Sequence, residues 1–156
     1  MIDHAADVLL GAADVCALIE SGAPLLLAGQ EEMLATLPRG VWVGGTIPYF
    51  MTPDGGADVR DRIFVTRLPD DADVVAVKAY DASGLAAIPG DEPEHGFSYA
   101  LIPAFSAAHK AFAEDVYGIP GFFERPLLGW VARRGVIAGA GVLSIATIVG
   151  GAIASR

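Results

Sequence analysis

Apolar positions follow two rhythms along this chain, and over residues 4–45 they alternate between helix and strand. Residues 4–22, HAADVLLGAADVCALIESG, set Val8, Leu9, Ala12, Val15, Cys16 and Ile19 at helical spacing, with Gly22 as a stop. PLLLAG is a short unbroken apolar run bounded by Pro24 and Gly29, the signature of a buried strand. QEEMLATLP reads as a short helix with acidic residues in its first turn and Pro38 at its end. VWVGG is a second buried strand. This order predicts an α/β layer architecture.

Further on, RIFVTRL (62–68) and VVAVKAY (74–80) are β-branched and aromatic enough for strands, and the turn cluster PDDAD between them predicts a hairpin or an adjacent antiparallel pair. Residues 81–96, rich in Gly, Pro and acidic residues, read as a long exposed connection. FSYALIP (97–103) is a strand and AFSAAHKAFAEDVYG (104–118) a helix, with Phe105, Ala108, Phe112 and Val116 on one stripe. GIPGFFERP is an aromatic loop, and LLGWVA (127–132) is a strand. The expected fold is a single layered α/β domain over residues 1–132, a mixed β-sheet flanked by helices, followed by an apolar Gly/Ala-rich tail at 133–156.

The tail differs in kind. Gly135–Ala154 is uncharged for 20 residues, long enough as a helix to cross a bilayer core, and Arg133 and Arg134 precede it. The alternatives are a membrane helix, a buried helix or strand–turn–strand within the fold, and a segment foreign to the domain. Either membrane anchoring or homo-oligomerisation through the tail follows from the first two.

Charge narrows the partners. The chain carries 19 acidic residues against 10 basic ones, a formal net charge of -9. Asp54 to Glu94 concentrate the acidic residues, and such a surface repels a phosphate backbone, so nucleic acid is not an expected partner. The single cysteine, Cys16, sits in an apolar pattern and fits a reducing compartment. The acidic start MIDHAADVLL lacks the positive charge of a secretory signal, so the expected location is cytoplasmic, or the inner face of a membrane if the tail anchors there.

Candidate chemistry gathers in RGVWVGGTIPYFMTPDGG, residues 39–56. Gly44 and Gly45 permit positive φ or close backbone approach, so their amides are candidates for a small anion or carboxylate site. Thr46 adds a hydroxyl, and Tyr49 and Phe50 offer an aromatic wall. The competing reading is a tight turn whose aromatics only pack. Neither a P-loop nor a dinucleotide fingerprint is complete here. Residues 117–125 read either as a hydrophobic plug over the sheet or as a lid over the glycines, from which Arg125 meets a carboxylate with two parallel hydrogen bonds. Ser106 and His109 lie three apart on a helix, with His95 and Ser98 near a strand start; none forms a triad or an elbow, and Ser106 reads as a helix cap. His4, His95 and His109 have no zinc spacing. The sequence predicts no catalytic residues, metal or cofactor.

The segments LPRGVWVGGTIPYFMTPDGG, RIFVTRLP, FSYALIPAFSAAHKAF and RPLLGWVA together resemble bacterial FIST-like proteins, more narrowly a FIST-related family with the pattern LP.G.WIGGTIPYFM. The resemblance spans roughly residues 20–132. It implies an α/β ligand-sensing fold of signal transduction, with small molecules such as amino acids as ligands. Such proteins continue past LLGW in polar α/β sequence where this chain has its apolar tail, so the resemblance implies a partial domain. The expectation is a non-enzymatic small-ligand-binding or sensory domain, with Gly44, Gly45, Thr46, Tyr49, Phe50 and Arg125 at the ligand. The alternative is a structural or assembly protein acting through its tail.

Overall fold

The first strand, β1 (Val8–Leu10), occupies what the periodicity predicts as the start of a helix. Three aliphatic residues beside an open sheet edge gain a full set of ladder bonds by pairing antiparallel with residues 63–65. The helix therefore begins only after Gly11, as α1 (Ala12–Glu20). It ends as expected at Gly22, whose φ of +82° suits a residue without a Cβ. The Gly22 N–H donates to Ile19 O at 3.0 Å and the Ala23 N–H to Leu18 O at 3.3 Å, the paired bonds of a Schellman cap.

A computed structural model describes residues 8–52, 54–68, 74–92, 97–124, 126–133, 136–138, 141–143 and 146–150. After α1 come β2 (Leu25–Gly29), α2 (Glu31–Leu34), β3 (Trp42–Thr46), β4 (Tyr49–Thr52), β5 (Gly55–Asp58) and β6 (Ile63–Arg67). Then follow β7 (Val74–Ala79), a 3₁₀ segment (Ala82–Ala87), α3 (Ile88–Asp91), β8 (Phe97–Pro103), α4 (Ala107–Asp115) and β9 (Leu127–Ala132). β10 (Val136–Ala138), β11 (Gly141–Leu143) and β12 (Ala146–Gly150) complete the order.

The fold is α/β, but the single mixed sheet expected from the sequence is replaced by two sheets and a separate hairpin. One sheet has the order β1-β6-β2-β3-β10-β11, the other β7-β12-β8-β9, and β4-β5 stand alone. β6 and β7 do not form the expected hairpin. β6 is paired on both sides, by β1 and β2, while β7 pairs with β12 in the other sheet. The described parts of the tail are strands, so its helical alternatives do not describe them. No helix among the described residues is long and apolar enough to cross a membrane.

Three apolar clusters set the layers. Val15 and Ile19 of α1 and Leu34 of α2 pack on Leu25, Leu27, Trp42, Ile63 and Val65, which share one face of the larger sheet. Its other face presents Leu26 and Val43 to Leu101, Tyr99, Trp130 and Ala132 of the second sheet. Ile102 and Leu127 on the far side of that sheet meet Leu85, Ile88, Ala108, Val116 and Phe122. The result is helix, sheet, sheet, helix. Each fully buried aliphatic side chain in these clusters contributes roughly 1.5–3 kcal/mol over its exposed state.

The last cluster corrects a second expectation. Residues 81–92 are not an exposed connection: Asp81 caps the 3₁₀ segment by accepting from the Ser83 and Gly84 N–H groups at 2.9 Å each, and Leu85 and Ile88 are buried. Residues 93–96, the rest of that stretch, lie outside the described residues.

Candidate functional site

β2 and β3 are parallel, with Ala28 opposite Gly45 and Gly29 opposite Thr46. Their carboxyl ends therefore open on one side, where loops following the strands leave a gap in α/β sheets. The Ile47 N–H donates to Gly29 O at 3.1 Å, and the Arg133 N–H donates to Thr46 O at 2.8 Å. These bonds bring the ends of β2, β3 and β9 to one place. A crevice of about 240 Å³ opens there, lined by Gln30, Glu31 and Glu32 at the start of α2, Thr46–Pro48, Arg60 and Arg133.

The crevice is charged with both signs. Arg60 and Arg133 each bring a planar fork of donors suited to a carboxylate, while Glu31 and Glu32 accept from an ammonium group. Arg60 lies 3.4 Å (Nε to Oδ1) from Asp58, and both side chains are largely in solvent. An exposed pair of that length is worth little, so Arg60 is free to re-aim at a bound anion at small cost. Among the described residues, no histidine, cysteine, serine or lysine lines the crevice.

A second cavity, of about 500 Å³, lies between the sheets at the same end of the molecule, and Ile47 borders both spaces. Tyr49 and Phe50 line this second cavity. Phe50 is buried and stacks on Phe64 with centroids 5.4 Å apart and planes 3° from parallel. β4 and β5 are a hairpin the sequence pattern did not reveal, because Gly55–Asp58 carries no apolar alternation.

Of the described ligand candidates Gly44, Gly45, Thr46, Tyr49 and Phe50, Thr46 lines the charged crevice. Gly44 and Gly45 lie inside β3, not in a turn, and neither has positive φ. They are glycines because of close approach. A Cβ on Gly45 would stand 2.4 Å from the Trp130 ring, and one on Gly44 3.2 Å from Leu27 O and 3.3 Å from Leu34 Cδ1. Arg125, His4 and His95 lie outside the described residues. Residues 117–124 line neither space; Phe122 is buried in the helical layer beyond the second sheet, against Phe112. The arginines at the crevice are Arg60 and Arg133, hidden in the sequence within an acidic stretch and a presumed membrane flank.

Residues 10–151 match a family of unknown function, DUF6976. The chain belongs to this family. No curated protein and no solved structure matches it significantly. The DUF6976 match runs through residue 132 and takes in β10 to β12.

Elsewhere in this DUF6976 chain, polar side chains serve the fold. Ser106 Oγ accepts from the His109 N–H at 3.0 Å and donates to Pro103 O at 2.8 Å, capping α4 as its position in the sequence suggests. His109 Nδ1 accepts from the Phe105 N–H at 3.1 Å, which spends the imidazole lone pair on the turn. A group sequence reasoning missed joins β7 to α3: Lys78 Nζ lies 2.6 Å from Asp91 Oδ1, and Tyr80 OH donates to Asp91 Oδ2 at 2.9 Å. Lysine and tyrosine two apart on a strand share a face, which is the signal that was available. The Lys78 hydrogen bond, then that of Tyr80, holds the Asp91 carboxyl below its ordinary pKa. Burial, then the Asp91 hydrogen bond, pushes the Tyr80 phenol above its ordinary value. Among the described residues, no group of three or more His, Cys, Asp or Glu side chains is placed to hold a metal ion.

Proposed function

We propose that this chain is a non-enzymatic small-ligand-binding domain whose ligand is an amino acid or a related carboxylate, held at the carboxyl ends of β2 and β3. The observation that carries this reading is the pairing of Arg60 and Arg133 with Glu31 and Glu32 around one crevice. A ligand carboxylate takes the guanidinium forks, and an α-ammonium group takes the glutamates. At about 240 Å³ the space suits a compact metabolite and not a nucleotide or peptide. The resemblance to FIST-like proteins over roughly residues 20–132 suggests a sensory use of that binding in signal transduction.

A thermal-shift screen of the twenty amino acids and short di- and tricarboxylates at millimolar concentration tests the reading. Selective native-state binding raises the melting temperature, by RT ln(1 + [L]/Kd) in free energy. At least one compound carrying a carboxylate should stabilise the protein, with methyl esters of the same compounds inactive. A flat response from folded protein overturns the proposal.

A further inference from the structure

We propose that the second cavity is a separate binding site, for a neutral, flat aromatic small molecule. Its lining contrasts with the crevice: among the described residues, no Asp, Glu, Lys or Arg side chain borders it. An ionised ligand there would lose hydration without a partner, so a neutral one is selected. Its walls are aromatic. Trp130 stands over Gly45, where the missing side chain lets the indole settle against β3. Phe50 and Phe64 form a parallel stack, and Tyr49 and Tyr99 add two further rings. Aromatic rings recognise flat π-systems by stacked or edge-on contact, worth about 0.5–1.5 kcal/mol per pair beyond area burial.

Size and rim agree with this class. A dry apolar cavity of about 150 Å³ accepts benzene. The present one, of about 500 Å³, has room for two or three fused or linked rings. Tyr49, Phe50 and Met51 of β4 line one side, and β4 pairs with β5 in a two-stranded sheet of its own. Tyr49 is 59% exposed and Met51 79% exposed, yet both border the cavity. Apolar surface left in solvent at the rim of an apolar space is covered when a ligand fills it. This inference does not depend on the crevice reading, because charge governs one site and its absence the other.

The test is a fluorescence titration of the full chain with N-phenyl-1-naphthylamine, a neutral two-ring dye with an appended phenyl group. Saturable enhancement at one dye per chain is expected, with quenching of indole emission because Trp130 lines the cavity. Ala28 is half-buried on the cavity wall, so Ala28→Phe fills the space and should weaken dye binding at least tenfold. Melting temperature reports whether that variant folds. The rim variant Tyr49→Ser/Met51→Ser, at exposed positions, should raise the dissociation constant about threefold or more. No saturable binding up to the dye's solubility limit overturns the proposal. So does unchanged affinity in a folded Ala28→Phe or in the rim variant, since the dye would then sit elsewhere.

Discussion

Gly45 shows how one residue decides the packing of two sheets. Its Cα faces the Trp130 indole so closely that even a methyl group would meet the ring at 2.4 Å. Overpacking of this kind costs about 1–3 kcal/mol. Urea unfolding of Gly45→Ala should report a loss in that range and a shifted indole emission; a wild-type midpoint would show that Trp130 moves freely. Gly129, at φ +155°, is tighter still, because a Cβ there would meet the Ala100 carbonyl of the neighbouring strand at 1.9 Å. The sequence drew attention to the Gly-Gly pair correctly but for another reason. A glycine in a strand marks either a special dihedral or a close neighbour, and only the position of Trp130, 85 residues away, separates the two.

At the level of elements, local chemistry was the legible part. Apolar runs bounded by Gly and Pro located β2, β3, β6, β8 and β9, and Ser106 marked the start of α4. Ser106→Ala should lower stability by about 1 kcal/mol, measured by urea unfolding, since it removes the acceptor of the His109 N–H. What failed was pairing. β3 is buried at all five positions, so its pattern names neither a partner nor a face. β6 and β7 are neighbours in sequence yet belong to different sheets, because each finds its ladder with distant strands. Lys78 and Tyr80 share a strand face legible in the sequence, but nothing in the sequence names Asp91 of α3 as their partner. The Asp91 carboxyl titrates below its unfolded value of about 3.9. Its contribution is therefore complete above that pH and is lost as pH falls through the lower folded value. Asp91→Asn should be less stable than wild type at pH 7, with the gap narrowing as pH falls below about 3.9. A gap constant across that range contradicts the ionic latch.

For the whole molecule, two sheets packed between helical layers leave two openings at one end, one charged and one apolar, on either side of Ile47. The net charge of -9 makes the crevice arginines a local exception on an acidic surface. Under the proposed function, carboxylate binding there would rely on short-range forks and would weaken as salt screens the exposed groups. Thr46, one of the ligand candidates named from sequence, lines the crevice, and Arg60 and Arg133 were not legible as its neighbours because only folding brings them beside it. The central claim is that these two arginines hold a ligand carboxylate. Isothermal titration calorimetry of wild type and Arg60→Ala/Arg133→Ala, with the most stabilising amino acid or organic acid from the screen, tests it most directly. The account predicts one-site binding to wild type and at least a tenfold weaker dissociation constant in the variant, about 1.4 kcal/mol. Equal affinity in both folded proteins would contradict it.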